Sequence, residues 1–479
     1  MVDHYRLMIP GAPATGGILE VRAPYDDALL ATVDTADHAA VETALAAAAA
    51  LYRDRDAWLA PAERIGILEK TAGIMQERKE FLAEEAAREG GKPLMDSRVE
   101  AERAADGVRI CIETLRTEGG REIPMNLNAA SANRLAFTRK EPAGVVVAVS
   151  AFNHPLNLIV HQVAPAVAAG CPVIVKPAED TPLSCFRFVE ILREAGLPEE
   201  WCQALTVSDI DVATRLVTDP RVDFFSFIGS ARVGWMLRSR LAPGTRCALE
   251  HGGAAPVIVA EDANIDDAVP LLLKGGFYHA GQVCVSVQRV FAHAAVARRL
   301  GGALAAGAEK LVIGDPTKPE TEVGPLIRQA EVSRIEQWVD EAVSRGAELL
   351  CGGKRVSDTS YSCTVLYDPP PDAKVSTDEI FGPVMCVYPY ENMDEAVSRA
   401  NSLPYAFQAA VFTKDIDRAM RAARRLNAST VLVNDHTAFR VDWMPFAGLK
   451  QSGLGVGGIP YAMHDIQVDK MTVIRSAEL

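Results

Sequence analysis

The 479-residue chain lacks three things: cysteine pairs at C-x-x-C spacing, an apolar run approaching the roughly 20 residues that span a bilayer, and any excess of positive charge. Its nine cysteines (Cys111, Cys171, Cys185, Cys202, Cys247, Cys284, Cys351, Cys363 and Cys386) are odd in number and scattered. That usage fits a reduced compartment and excludes a disulfide framework or a cysteine zinc site, so no metal is expected. The opening Met-Val-Asp-His-Tyr-Arg has no basic segment followed by an apolar one, so a cytoplasmic protein without a membrane partner is expected. The net charge of −14 excludes nucleic acid, whose phosphates repel such a surface.

What is present is enough chain for roughly three domains of about 150 residues, with 49% apolar residues to build their cores. From Val33 to about Glu118 the pattern reads mostly helical, with an alanine-rich stretch at Val41–Tyr52 and charged helical spacing at Arg64–Gly90. Between Arg121 and Lys140, short apolar clusters separated by Asn126, Asn128 and Asn133 predict two strands joined by a polar turn. From Val145 to Glu250 apolar strands alternate with helices, which predicts a parallel sheet covered on both faces and a Rossmann-like nucleotide fold. A second alternating stretch runs from Val257 to about Val433. The fold class is therefore α/β, with the active site expected between the two α/β units.

The most telling residue is Cys284, preceded by Gly281 and Gln282, with Glu250 upstream in Leu-Glu-His-Gly-Gly. A thiol among small residues, with a carboxylate brought from another loop, can form a covalent adduct and hydrolyse it. The first α/β unit lacks Gly-x-Gly-x-x-Gly. Instead Phe227-Ile-Gly-Ser-Ala-Arg-Val-Gly234 puts Gly229 and Ser230 at a helix start, where free amides can hold a diphosphate or Ser230 can simply cap the helix. In Val175-Lys-Pro-Ala-Glu-Asp180, Lys176 and Glu179 sit just past a buried strand, at the edge where α/β sheets bind ligands. They can hold ribose hydroxyls, and the Glu179 carboxylate disfavours a 2′-phosphate, so NAD is expected over NADP; a solvated ion pair is the plainer alternative. Asn153 follows the first strand, where its amide can donate to an oxyanion or serve a turn.

Seven motifs in order carry a family resemblance: Phe152-Asn-His-Pro155, Lys176-Pro-Ala-Glu179, Phe227-Ile-Gly-Ser230, Leu249-Glu-His-Gly-Gly253, Gly281-Gln-Val-Cys284, Glu379-Ile-Phe-Gly-Pro383 and Pro445-Phe-Ala-Gly-Leu-Lys-Gln-Ser-Gly453. Together they resemble the aldehyde dehydrogenase superfamily of the NAD(P)-dependent, non-acylating type. Val283–Arg289, Phe439–Pro445 and Ile123-Pro-Met resemble most its lactaldehyde-dehydrogenase-like branch. The resemblance implies an NAD-binding domain (1–120 and 141–249), a catalytic domain (250–433), a β oligomerisation arm (121–140 and 461–479) and a segment returning to the active site (434–460). It implies Cys284 as nucleophile, Asn153 and the Cys284 N–H as oxyanion donors, and Glu250 as the base for water. It also implies that Glu379 holds the nicotinamide ribose with Phe381 beside it. An exposed edge strand in the arm calls for a partner copy, so a homodimer or homotetramer is expected.

The chain departs from the family pattern at His251, where leucine is usual, and at Ala254, where a polar residue is common. His251 can tune the thiol or relay protons; a histidine satisfied by backbone or cofactor contacts is the plainer reading. For substrate, His154, Asn157 and His161 share a helix beginning beside Asn153, while His436, Phe439 and Arg440 come from the loop before Pro445. Their polarity predicts a small polar aldehyde, hydroxylated or carrying an anion that Arg440 holds as a fork. Two alternatives stand beside this reading: a coenzyme A-acylating dehydrogenase, against which Glu250 speaks, and a non-catalytic protein keeping the fold.

Overall fold

In a computed structural model, residues 2–11 and 16–479 are described. Five parallel strands, Arg246–Glu250, Phe224–Ile228, Val146–Val149, Val173–Lys176 and Cys202–Ala204, lie side by side in that order. Gly453–Leu454 joins antiparallel beside Glu250. Strand residues alternate between faces, and the burial follows. Val146, Ala148, Val173 and Val175 pack on one face against the helices Leu94–Thr117, Asn157–Ala169 and Leu183–Glu194. Val147, Ile174, Phe225 and Phe227 pack on the other, against His38–Arg53 and Ile210–Thr218.

A second sheet of seven strands, from Glu348–Cys351 at one edge to Thr430–Val433 at the other, is parallel except for that first edge strand. It has its own apolar core. The predicted hairpin is present as Glu122–Ile123 against Arg134–Pro142, and the terminal strand Gln467–Arg475 pairs along the other side of Arg134–Pro142. The chain also begins with a small sheet, Asp3–Tyr5, Leu29–Thr35 and Gly17–Arg22. The sequence pattern reads Val33 onward as helical, so its start needs correction. Leu29–Thr35 is a strand, and the first helix opens only at His38, capped by Asp37. No helix among the described residues is long and apolar enough to cross a membrane.

The helix Asn157–Ala169 decides how the site is built. All thirteen of its residues are buried, including the polar Asn157, His161 and Gln162. Buried polar groups require partners, and each of these side chains has at least one. Gln162 Nε2 donates to Ser226 Oγ at 2.9 Å, whereas Asn157 and His161 both reach Asp442. At the helix start, Glu100 accepts from the Leu156 and Asn157 amides at 3.0 and 2.9 Å, and Lys92 neutralises it. That carboxylate satisfies amides otherwise orphaned at a helix N-terminus.

Candidate active site

At the carboxyl ends of the first sheet a cavity of about 530 Å³ is lined by Asn153, His154, Asn157, Lys176, Glu179, Phe227, Gly229, Ser230, Glu250, His251, Cys284, Glu379, Phe381 and Arg440. The motifs lie far apart in sequence and meet here because parallel strands end at one edge.

Cys284 hangs from a strained turn. His279, Ala280 and Gly281 take φ of 48°, 53° and 72°, a left-handed run that only the glycine enters freely. The Gln282 side chain pins it, donating to Pro325 O at 3.2 Å and accepting from the Ile327 amide at 3.0 Å. Asn153 Nδ2 donates to Gln282 O at 2.9 Å, so one amide N–H braces the thiol loop and its second N–H is left over. Burial pushes the Cys284 thiol up to about 12; Arg440 opposes the shift, and Glu250 and Glu379 add to it. Cys284 is thus a thiol in this state and needs a base or a bound cation to ionise.

Glu250 ends its strand with its carboxylate against Gly457, where a Cβ would occupy the same space. Burial raises its pKa and Arg440 opposes. Glu379 accepts from the Gly253 amide at 3.0 Å and lies directly on Gly252, so its carboxylate leaves no room for a side chain at Gly252. Burial pushes Glu379 up to about 7, against the Gly253 bond and Arg334. Phe381, at φ 49°, turns its ring edge-on to Phe152 at 5.9 Å.

Lys176 Nζ lies 3.1 Å from Glu179 Oε1, and Glu179 keeps 43% of its side chain exposed. Gly229 leaves no space for a Cβ beside the Phe227 ring, and Ser230 makes no side-chain cap, so nothing from the side chains blocks the first amides of the helix Ala231–Arg238. Lys176 and Glu179 at the sheet edge, an open helix start and a buried Glu379 against Gly252 are a donor and acceptor set that fits a dinucleotide.

His251 Nδ1 lies 2.9 Å from Gln451 O, the backbone satisfaction of the plainer reading, and burial lowers its pKa. Its Nε2 has no partner and occupies the space a side chain at Gly234 would need.

The predicted substrate residues divide. His154, Asn157 and Arg440 line the cavity; His161, His436 and Phe439 do not. His154 precedes the helix instead of lying on it, and its Nε2 is 3.2 Å from the Tyr278 hydroxyl. His161 is buried behind the wall, His436 packs against Gly275, and Phe439 is 43% exposed outside. Cavity residues that the sequence reading did not single out include Arg103, Tyr278 and Phe446. Arg103 grips Asp442 through two bonds of 2.9 and 2.7 Å. Burial opposes ionisation of Asp442, but His161 and Arg103 hold its carboxyl well below the usual carboxylate range. The Arg440 guanidinium lies 3.6 Å over the Phe446 ring, and its Nε has no partner. Arg103 belongs to no motif and sits in a helix rich in charge, so no local pattern marked it.

Residues 12–472 match the profile of the aldehyde dehydrogenase family. The chain is 38% identical over 474 residues to the 3-sulfolactaldehyde dehydrogenase of Priestia aryabhattai, covering 99% of this chain and 98% of that one. It is 35% identical over 416 residues to the lactaldehyde dehydrogenase of Methanocaldococcus jannaschii, covering 86% and 88%. The crystal structure of aldehyde dehydrogenase 21 from Physcomitrella patens, in complex with the reaction product succinate, matches with a TM-score of 0.94 at 35% identity, covering 100% and 99%. Similar solved chains include complexes with NADP and with NAD+. The chain belongs to the aldehyde dehydrogenase family, in its lactaldehyde-dehydrogenase-like branch.

Proposed function

We propose that this chain oxidises a short aldehyde bearing an anionic group, and a hydroxyl beside it, to the carboxylic acid, with NAD in preference to NADP. The Cys284 thiol gives its proton to Glu250, the carboxylate in the same cavity, which passes it to solvent; Sγ then bonds to the aldehyde carbon and the carbonyl oxygen becomes an oxyanion, for which Asn153 and the Cys284 amide are the donors at hand. Loss of hydride from the thiohemiacetal carbon leaves a thioester on Cys284; a nicotinamide held by Glu379 and Phe381 would supply the acceptor. Glu250 then takes a proton from water, whose oxygen attacks the thioester carbon; the C–S bond breaks, the acid leaves and the thiol is restored. A base raised by burial suits this step, and its presence favours hydrolysis over transfer to coenzyme A.

One observation carries the substrate reading: Arg440 lines the cavity with a donor unfilled, and its guanidinium faces no carboxylate at hydrogen-bond distance. Asn157 supports the hydroxyl, because its Nδ2 is turned to Asp442 at 3.3 Å and its Oδ1 is left without a partner. The names of two relatives fit this chemistry, sulfolactaldehyde being an anionic hydroxyaldehyde and succinate a dianionic product.

Lys176 and Glu179 are assigned to the adenosine ribose, Gly229 and Ser230 to the diphosphate, and Glu379 with Phe381 to the nicotinamide end. Glu179 supports NAD through repulsion of a 2′-phosphate. Among the described residues the strand Gln467–Arg475 has no partner on its outer edge, and it exposes Val468, Met471, Val473 and Ile474, which supports a homo-oligomer. Nine free thiols support a cytoplasmic location.

The test is steady-state kinetics with succinic semialdehyde as the anionic aldehyde and butanal as the neutral one. Arg440→Ala is expected to raise the KM of the anionic substrate about tenfold to a hundredfold relative to the neutral one. An equal change for both would remove the anion from the proposal.

A further inference from the structure

We infer that His161 and Asp442 form a positioning device that leaves Arg440, among the described residues, as the one cavity arginine with no carboxylate at hydrogen-bond distance, so that charge preference depends on a histidine that does not line the cavity. This rests on the reading that Arg440 receives an anionic substrate.

The argument runs through donors and acceptors. Arg440 Nη2 lies 3.2 Å from His161 Nδ1. A guanidinium has donors only, so Nδ1 must be the acceptor and the ring proton sits on Nε2. That Nε2 lies 2.7 Å from Asp442 Oδ1, the oxygen of a carboxylate that only accepts. Both ends of the imidazole therefore demand the same neutral tautomer. The chain of bonds runs from Arg440 to His161 to Asp442, and Arg103 meets the same carboxylate from the other side in a bidentate pair of 2.9 and 2.7 Å.

The consequence is an unequal division of charge. The negative charge of Asp442 is engaged directly by Arg103, while Arg440 is fastened to an uncharged ring. Arg103 and Arg440 both line the cavity, but Arg103 arrives compensated and Arg440 keeps a full charge for a ligand. The Phe446 ring beneath its guanidinium, at 3.6 Å, and the His161 acceptor fix its plane. Glu250 is the charged group that acts most on Arg440, followed by Arg103, Asp442 and Cys284; none of these carboxylates is at hydrogen-bond distance from it among the described residues, and Glu250 and Cys284 are assigned to the chemistry. Asn157, donating to the same Asp442 oxygen at 3.3 Å, completes the cluster.

The distinguishing experiment compares kcat/KM for succinic semialdehyde with that for butanal in His161→Leu, His161→Gln and Arg440→Ala. For His161→Leu, which removes donor and acceptor, the ratio is expected to fall about tenfold through the KM of the anionic substrate. His161→Gln, with an amide able to donate and accept, is expected to recover part of that loss. Should His161→Leu not fold, His161→Phe keeps a ring without an acceptor and carries the same expectation. If Arg440→Ala lowers the ratio and neither apolar His161 variant does, the positioning role is overturned and the anion reading stands. If Arg440→Ala leaves the ratio unchanged, the anion reading itself falls. A His161 effect equal for both aldehydes would mark a merely structural role and overturn the inference.

Discussion

The two ends of the cavity hold their charges in opposite ways. At the proposed cofactor end, Lys176 and Glu179 are three residues apart and pair with each other at 3.1 Å, with Lys176 buried and Glu179 partly in water. At the substrate end, Arg103, Asn157, His161 and Arg440 converge on Asp442 and one another across up to 339 residues of sequence, and Asp442 is 2% exposed. A local pair with one partner half in water contributes little and tolerates change. A buried network fails as a unit, because removing one partner leaves another unsatisfied in a medium that penalises it. On the proposed assignment, cofactor binding therefore rests on replaceable contacts, whereas substrate choice rests on a shared one.

Between the two ends stands the reacting pair, and its loss is the largest effect expected. Cys284→Ala should lower kcat by about 10³-fold or more, read as aldehyde-dependent NADH formation. Glu250→Gln should cost about 10²- to 10⁴-fold. Its pH profile sharpens the assignment. Glu250 works only when ionised and burial raises its pKa, so wild-type turnover should fall as pH falls through that raised value, and this limb should be missing from Glu250→Gln. A limb that persisted would move the base elsewhere.

The cofactor end should respond more mildly. Glu179→Ala is expected to shift the NAD to NADP ratio of kcat/KM towards NADP by about tenfold or less, because half-exposed charges act weakly; a shift towards NAD would reverse the repulsion argument. The smallest effect concerns stability at the buried end. Burial and Arg440 push His161 down to about 4, Asp442 opposing, whereas an unfolded histidine titrates near about 6.5. Between these values the unfolded chain binds a proton that the folded one does not, so stability is lost as pH falls through the window. His161→Leu removes that contribution, and Tm should then depend on pH between about 4 and 6.5 less steeply than in wild type. Equal slopes would show that His161 is not held neutral.

The same contrast explains what the sequence made legible. Lys176 ends a buried strand and Asn153, Glu179 and Gly229 follow buried strands, and strand ends can be read from apolar runs bounded by turns. Cys284 was legible through its small neighbours, of which Gly281 takes a positive φ, whereas Glu379 was placed only by the family resemblance and the room that Gly252 leaves for its carboxylate shows only in three dimensions. The substrate end was half legible. Helical spacing placed Asn157 and His161 on one face, and both do meet Asp442, but spacing cannot say whether a face looks into a cavity or behind its wall. Arg103 and Asp442 stayed hidden because the partner of each lies in a different part of the chain. The opening sheet was missed for a related reason: Asp3–Tyr5 and Gly17–Arg22 are short strands whose pairing with Leu29–Thr35 shows only in three dimensions.

The central claim is that Cys284 carries the acyl group which Glu250 releases. Intact-protein mass spectrometry of the Glu250→Gln variant, mixed with aldehyde and NAD and quenched in acid, tests it directly. The account predicts one stoichiometric burst of NADH, a mass increase equal to the acyl group, and its localisation to the peptide containing Cys284. Continued full turnover with no adduct, or an adduct on another cysteine, would contradict it.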